Sequence, residues 1–232
     1  MITSFLFLPT IFTCMILTTL MEQPVDPEIE SYVKERLAEG SEIPRERQED
    51  LLKLSRYIAQ CRETNKPIKL LFVCTHNSRR SHLAQLWAKI GAVYFGMDKL
   101  ESYSGGTETT AMNPRTVAAL QRAGLVIEKD GKDSTNPQYS VVYSNSRPAE
   151  VCFSKTLVEP PNPTDSFAAI MTCSSADAAC PNVKGCDMRL ALPYEDPKLS
   201  DGTDREAATY DAKCREIARE MLFVMSQVAI SS

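Results

Sequence analysis

The feature that most constrains this chain is a short cysteine-led loop between a buried strand and an amphipathic helix. The apolar run of residues 68–73 predicts a strand, and residues 81–93 predict a helix. Between them lies Cys74-Thr75-His76-Asn77-Ser78-Arg79-Arg80-Ser81. Such a loop points its backbone N–H groups at one spot, where the dipole of the following helix favours negative charge. The stretch therefore predicts an anion-binding loop at the end of a strand.

Cys74 and Arg80 supply the chemistry of this loop. The same electrostatic field favours the thiolate form of Cys74, which makes its sulfur a candidate nucleophile. Arg80 can grip two oxygens of a tetrahedral anion with its planar fork, and Ser81 can hydrogen-bond the thiolate. In the alternative interpretation, Cys74 is a core residue and Arg79 and Arg80 are solvated surface charges, because Cys-x5-Arg alone is a weak pattern.

Composition limits the remaining function classes. The chain has 232 residues, of which 43% are hydrophobic, enough for one domain of about 150 residues plus extensions. The net charge of −4 and the lack of a basic stripe with interleaved aromatic residues argue against a nucleic-acid partner. Eight cysteines in a chain of this length do not make a disulfide scaffold, and together with the reactive loop they favour a reducing compartment.

The chain divides into three parts. Residues 1–20 are apolar and uncharged, without the basic start or small-residue cleavage site of a signal peptide, and barely long enough to span a bilayer. We expect a start assigned too far upstream and a cytoplasmic protein without a membrane partner. The alternative is an exported or membrane-anchored protein. We expect residues 21–66 to form a helical extension and residues 67–232 to form the main domain.

The main domain alternates strands and helices, which predicts a three-layer α/β sandwich with a central parallel sheet. Residues 27–38 and 45–62 predict a helical hairpin packed on this domain. Residues 139–154 predict a β-hairpin that extends the edge of the sheet, and residues 209–228 predict a long C-terminal helix.

Cys173 and Cys180 form a second candidate cluster. They follow the predicted strand 167–172, whose end lies at the same sheet edge as Cys74. Seven residues of intact helix span about 10.5 Å, whereas a disulfide needs Cα atoms within about 7 Å. If these cysteines bond, the segment of small residues between them must unwind. That geometry would make the pair a redox switch.

Two other interpretations of these cysteines remain open. Both could be inert helix residues. A zinc site that uses Cys173, Cys180 and Cys186 is disfavoured, because the sequence has no CxxC pair and its two histidines, His76 and His82, lie at the anion loop. We therefore expect no bound metal.

Asp196 is the candidate general acid. It follows the apolar stretch 190–192, which predicts the last strand, and so should reach the same edge of the sheet. When a thiolate attacks the central atom of a tetrahedral oxyanion, an acid is needed to protonate the oxygen that departs from that atom. Glu195 is the less favoured substitute, and a carboxylate before Pro197 is also common as a simple turn former.

Three segments resemble the low-molecular-weight protein-tyrosine phosphatase superfamily and, within it, the thioredoxin-linked arsenate reductases. Residues 73–81 resemble the family's oxyanion loop, residues 104–115 its second strand and following helix, and residues 195–197 its acid loop. Cys173 and Cys180 are similar to the redox pair of the reductases, which the phosphatases lack. The resemblance covers about residues 68–228.

This resemblance implies a role for each matching residue. Cys74 would be the nucleophile, with Ser81 as hydrogen-bond donor to its thiolate and Asp196 as the general acid. Arg80 would clamp the oxyanion, and Asn77 would brace the anion-binding loop Thr75-His76-Asn77-Ser78-Arg79. Cys173 and Cys180 would form the disulfide relay. The implied activity is arsenate reduction without a bound cofactor, with a thioredoxin-like external thiol reductant. The alternative enzyme is a phosphatase that forms a cysteinyl-phosphate. A non-enzymatic oxyanion sensor or redox-responsive binding module is the third possibility.

The chain departs from the family at three places. His76 stands where the reductases usually have Gly, which questions the backbone geometry of the loop. Arg79 replaces a usual Cys and adds a positive charge that should favour anions. Lys198-Leu199-Ser200 replaces the aromatic residues that hold a phosphotyrosine ring in the phosphatases, which favours the reductase interpretation.

Overall fold

The computed structural model describes residues 24–131 and 135–230. The apolar leader expected at residues 1–20 lies outside this part of the chain. The helices are α1 (Pro27–Ala38), α2 (Arg45–Glu63), α3 (Arg80–Tyr94), α4 (Pro114–Arg122), α5 (Ser174–Ala179) and α6 (Glu206–Ile230). The strands are β1 (Ile68–Cys74), β2 (Leu100–Gly106), β3 (Val126–Lys129), β4 (Tyr139–Val142), β5 (Glu150–Cys152), β6 (Phe167–Met171) and β7 (Cys186–Ala191). Short 3₁₀ helices span Glu39–Glu42 and Pro197–Ser200.

The centre of the molecule is a parallel sheet of four strands in the order β2-β1-β6-β7. Successive residues of β1 are buried on opposite faces. Leu70 and Phe72 join the hydrophobic cluster that contains α3 and α6, whereas Leu71 and Val73 join a smaller cluster on the side of α5. A parallel sheet needs cover on both faces, and the near-continuous apolar sequence of β1 follows from that requirement. The predicted α/β fold with a central parallel sheet is confirmed.

The N-terminal extension is helical, as predicted. Both α1 and α2 pack against α6, and Tyr32 of α1 stacks on Trp87 of α3 with ring centroids 4.9 Å apart. Buried residues of the extension therefore belong to the same hydrophobic cluster as the main domain. The domain boundary at residue 67 stays a prediction of the sequence. Within the described residues, no helix combines the length and apolar character needed to cross a bilayer.

The predicted β-hairpin exists, but it does not extend the main sheet. β4 pairs antiparallel with both β5 and β3, so these strands form a separate three-stranded sheet. Since β3 and β5 take both edges of β4, β4 has no free edge for the parallel sheet. An isolated bridge between Gly106 and Thr156 joins the segment after β5 to the end of β2. The expected edge addition is therefore wrong.

Candidate active site

The loop from β1 to α3 is the structural centre of the candidate site. Cys74 ends β1 and is 3% exposed, and its Sγ lies 3.1 Å from Oγ of Ser81 in the first turn of α3. In the described part of the chain, the backbone N–H groups of residues 75–79 donate to no protein acceptor. A row of unused N–H groups at a helix start is the arrangement that binds an oxyanion.

Asn77 shapes this loop. Its backbone has a φ of 44°, in the left-handed region that Asn tolerates better than most residues. Its Nδ2 donates to Oγ of Ser81 at 2.9 Å, and its Oδ1 accepts from the backbone N of Lys155 at 2.9 Å. His76 has no such backbone requirement, because Asn77 is the loop residue with a positive φ. The absence of Gly at residue 76 is therefore no obstacle to the geometry.

The floor of the loop is the end of β2. A Cβ on Gly106 would lie 2.8 Å from both the backbone N of Asn77 and the backbone O of Thr75, so only glycine fits. The backbone N of Glu108 donates to O of Thr75 at 2.8 Å, and Oγ of Ser78 donates to O of Ala111 at 2.7 Å. These contacts hold the loop in shape. The His76 ring lies outside them, half-exposed, with its Nε2 3.5 Å from the carboxylate of Glu108.

Arg80 connects the loop to the predicted acid loop. Its Nη2 donates to Oδ2 of Asp196 at 2.7 Å, and its Nη1 donates to the backbone O of Tyr194 at 2.9 Å. Asp196 is thus adjacent to the Arg80 guanidinium, and the backbone N of Lys198 donates to its Oδ1 at 3.1 Å. Glu195 is exposed. The structure places Asp196, rather than Glu195, beside Arg80 at the end of the Cys74 loop.

Arg79 does not present a free positive charge to this site. Its Nε donates to the hydroxyl of Tyr210 at 3.0 Å, and its guanidinium lies 3.8 Å from Asp201 and 3.9 Å from Asp196. The sequence suggested that Arg79 adds a positive charge to the anion site. In the structure, the carboxylates of Asp196 and Asp201 compensate that charge. Tyr210, whose pKa is raised to about 12 by burial and by its hydrogen bond to Asp201, stays protonated and can serve both partners.

The strand pairing brings Cys173 to the loop that begins at Cys74. The backbone N and Oγ1 of Thr172 both donate to the backbone O of Val73, at 2.7 and 2.8 Å. The residues that precede the two cysteines are therefore hydrogen-bonded to each other. Cys173 is 1% exposed, belongs to the same hydrophobic cluster as Cys74, and lies 3.5 Å from Oγ1 of Thr75. Cys173 and Cys74 thus occupy one edge of the sheet.

Helix α5 separates Cys173 from Cys180. Cys173 is its N-cap, where Sγ accepts from the backbone N of Ala176 at 3.4 Å, and the backbone N of Cys180 donates to O of Ala176 at 3.0 Å. Both cysteines are free thiols. Burial raises the pKa of the half-buried Cys180 thiol, while the positive charge of Arg189 opposes this shift. The intact helix is the form in which the two thiols are held apart.

Arg189 is a residue of this region that the sequence analysis missed. From β7, its Nε donates to the backbone O of Cys180 at 2.9 Å, and its Nη2 donates to the backbone O and Oδ1 of Asp177 at 2.8 and 2.6 Å. These bonds satisfy carbonyls at the C-terminal end of α5. No local pattern in the sequence marks Arg189, because it lies in a different element from the helix that it holds.

No metal site is evident among residues 24–131 and 135–230, where no three His, Cys, Asp or Glu side chains are arranged to hold an ion. The zinc alternative therefore gains no support from the described residues. His82 is fully buried, and burial lowers its pKa to about 3. Its Nδ1 lies 3.2 Å from Oγ of Ser104, which makes it a neutral packing residue beneath the loop.

Sequence comparison shows which known proteins resemble this part of the chain. A model of the low molecular weight phosphotyrosine protein phosphatase family matches residues 69–141, which contain the whole loop from Cys74 to Ser81. An arsenate reductase of Bacillus licheniformis is 27% identical over 63% of this chain and 86% of its own length. An arsenate reductase of Halalkalibacterium halodurans is 28% identical over 61% of this chain and 82% of its own length. Within residues 69–141, the chain is therefore similar to the low-molecular-weight phosphotyrosine phosphatase superfamily. Both of these relatives are arsenate reductases, so the predicted resemblance to this superfamily and the prediction that the chain is an enzyme are confirmed.

Solved structures of the superfamily are also similar to the chain. A low molecular weight protein tyrosine phosphatase from T. tengcongensis is 18% identical and covers 71% of this chain and 99% of its own, with a TM-score of 0.42. An arsenate reductase from Archaeoglobus fulgidus is 19% identical and covers 68% of this chain and 98% of its own, with a TM-score of 0.40.

Proposed function

We propose that this protein is an arsenate reductase that uses Cys74 as nucleophile and Cys173 with Cys180 as a disulfide relay. The observation that carries the proposal is the pair of free cysteines at the two ends of α5, the helix that follows β6. Cys173 is buried in the same cluster as Cys74, and Cys180 lies at the far end of a single short helix. Phosphate hydrolysis through Cys74 needs neither of them, whereas reduction of an oxyanion needs a source of two electrons.

In the proposed first step, the backbone N–H groups of residues 75–79 and the guanidinium of Arg80 bind arsenate. The anion takes over from Asp196 as a partner of Arg80, since both are oxygen acceptors for the same fork. The Cys74 thiolate, hydrogen-bonded by Ser81, then attacks arsenic. Asp196 protonates the departing oxygen, which leaves as water.

The relay then moves the electrons. The Cys173 thiolate attacks the Cys74 sulfur, the S–As bond breaks, and its electron pair stays on arsenic, which leaves as arsenite. Cys180 next attacks the Cys173 sulfur and releases the Cys74 thiolate, so the oxidised product is a Cys173–Cys180 disulfide. An external dithiol of the thioredoxin type reduces this bond. A cytoplasmic location, where such reductants are present, fits this chemistry and is part of the proposal.

The alternative function is that of a phosphatase. Cys74, Arg80 and Asp196 suffice for a cysteinyl-phosphate, which water would hydrolyse with Asp196 as base. The acid loop continues with Lys198, an exposed Leu199 and Ser200, so it offers no aromatic wall for a phosphotyrosine ring. That difference favours a small oxyanion as substrate.

The direct test of the proposal is turnover of arsenate by the purified full chain, with NADPH, thioredoxin and thioredoxin reductase as coupled reductants. We expect NADPH oxidation that depends on arsenate and on thioredoxin. A protein that hydrolyses an aryl phosphate rapidly but oxidises no NADPH with arsenate would be a phosphatase. A protein that binds phosphate without either turnover would be a sensor.

Asp196→Asn should slow the first chemical step about 10²–10⁴-fold, the usual contribution of a general acid. Asn can still accept the hydrogen bond from Arg80, so the loss reflects the missing proton. The measurement is the burst rate of nitrophenol release from an aryl phosphate in stopped flow. The exposed neighbour variant Glu195→Gln should keep the wild-type rate. Rates within a few-fold of wild type for Asp196→Asn would assign the acid to another group.

Arg189→Met should loosen α5 in the reduced protein, because it removes three hydrogen bonds from the end of that helix. We expect amide exchange within residues 174–179 to accelerate about 3- to 10-fold, a modest effect because Arg189 is partly exposed. Lys184→Met, a change of an exposed residue in the same connection, should leave exchange unaltered. If residues 174–179 exchange at the same rate in Arg189→Met as in Lys184→Met, Arg189 does not stabilise α5.

A further inference from the structure

A chain of contacts leads from the N-terminal extension to the predicted acid loop. In α2, Nε of Arg47 donates to both carboxylate oxygens of Glu220, at 3.1 and 3.0 Å, and its Nη2 lies 2.9 Å from Oε2. Glu220 belongs to α6 and is 3% exposed. A buried carboxylate needs such a partner, because an uncompensated buried charge is costly. Arg47 is the guanidinium that neutralises Glu220.

Tyr194 is the next member of the chain. Its hydroxyl donates to Oε2 of Glu220 at 2.7 Å, and the guanidinium of Arg47 lies 4.7 Å from the centroid of its ring. Burial and the Glu220 carboxylate raise the pKa of Tyr194, so the hydroxyl keeps its proton and remains a donor. Tyr194 is therefore held on two sides, by a hydrogen bond at its tip and a cation over its face.

The backbone carbonyl of Tyr194 links its fixed position to the orientation of the Arg80 guanidinium. Its carbonyl accepts from Nη1 of Arg80 at 2.9 Å, while Nη2 of the same guanidinium faces Asp196. The carbonyl thus fixes one arm of the planar fork, and the other arm is left to bind the carboxylate or an oxyanion. A shift of Tyr194 would rotate the fork away from the loop N–H groups.

We infer that Arg47 is a positioning residue for the oxyanion clamp, acting through Glu220, the Tyr194 side chain and the Tyr194 carbonyl on Arg80. The inference rests on the proposed role of Arg80 in binding the oxyanion. It gives the extension, which lies outside the part of the chain that resembles the family, a function in anion affinity. In this role the extension fixes the orientation of the Arg80 guanidinium through α6 and Tyr194, and it does not touch the substrate.

The test is protection of Cys74 by inorganic phosphate against iodoacetamide, read at the Cys74 peptide by mass spectrometry. Arg47→Met should raise the phosphate concentration for half-protection about tenfold, within the range of couplings through hydrogen-bond networks. Arg47→Lys should recover part of the loss, because it restores the charge opposite Glu220. Tyr194→Phe, which keeps the carbonyl and loses only the hydroxyl, should shift protection in the same direction by a smaller factor.

The matched control is Arg36→Met. Arg36 is also a buried guanidinium of the extension, with an ion pair to Glu39 at 2.7 Å and the ring of Tyr32 at 4.5 Å. Among residues 24–131 and 135–230, no chain of side-chain hydrogen bonds or ion pairs joins Arg36 to Arg80. Arg36→Met should lower the melting temperature without a change in phosphate protection. The inference is overturned if Arg47→Met and Tyr194→Phe protect like wild type, or if Arg36→Met weakens protection equally. Failure of phosphate to protect the wild-type protein would instead contradict the proposed oxyanion site.

Discussion

Cys74→Ser should abolish both arsenate reduction and hydrolysis of an aryl phosphate. Both reactions begin with attack by the Cys74 sulfur, and a serine hydroxyl at the same place is too weakly acidic to attack at neutral pH. Ser81 Oγ lies 3.1 Å from the sulfur and can donate a hydrogen bond to a thiolate, but a serine hydroxyl cannot act as the general base that would deprotonate the hydroxyl introduced at position 74 in the variant. The measurement is the steady-state rate on each substrate, with folding checked by circular dichroism.

Two companion variants complete this test. Arg80→Lys should lose most of the activity, because an ammonium cannot reproduce a fork that donates to two oxygens at once. Cys61→Ser, which alters a buried cysteine of α2 on the extension, should keep near-wild-type rates wherever the protein is folded. Retention of more than a small fraction of turnover by Cys74→Ser would mean that the active site has been assigned wrongly.

Cys173→Ser and Cys180→Ser should each stop multiple-turnover arsenate reduction. Without Cys173, no protein thiol attacks the arsenylated sulfur, and without Cys180 the enzyme stops as a Cys74–Cys173 disulfide. Both variants, kept reduced, should hydrolyse an aryl phosphate at nearly the wild-type rate, because that route uses only Cys74, Arg80 and Asp196. Coupled NADPH oxidation and nitrophenol release measure the two reactions on the same preparations.

Cys186→Ser is the matched control for the relay. Cys186 is half-buried and packs against the same hydrophobic cluster as Cys74 and Cys173, but it has no role in the proposed sequence of steps. It should leave both activities unchanged. If Cys180→Ser reduces arsenate over many turnovers at the wild-type rate, or if Cys186→Ser blocks the reaction, the assignment of the resolving thiol is wrong.

Local patterns carried most of the fold prediction. The apolar run of β1 and the 3.6-residue periodicity of α2 and α6 are properties of contiguous sequence, and these elements were found within a few residues. β3 was not predicted, because one of its four residues is buried and no alternation marks it. The start of β7 was missed for a similar reason. It lies at an edge of the sheet, and its first four residues are only partly buried or exposed.

The residues of the candidate site also fall into a group that the sequence reveals and a group that it does not. Cys74, Arg80 and Ser81 lie in one short segment whose strand–loop–helix context is visible in sequence, and Asp196 follows an apolar stretch that predicts a strand end. Tyr194, Glu220 and Arg47 carry no such signal. Arg47 and Glu220 are separated by 173 positions and meet only because α2 and α6 pack together. Single-sequence reasoning finds chemistry that is local and misses side chains that support it from distant elements.

The most direct test of the central claim is mass spectrometry of the reduced protein after treatment with arsenate and no external reductant. The account predicts a Cys173–Cys180 disulfide, formed in step with arsenite release, and faster amide exchange in residues 174–179, because α5 must unwind to bring the two sulfurs together. The Cys74→Ser protein should form no such bond under the same conditions. Brisk phosphatase turnover without any Cys173–Cys180 bond would contradict the account and leave both cysteines as packing residues.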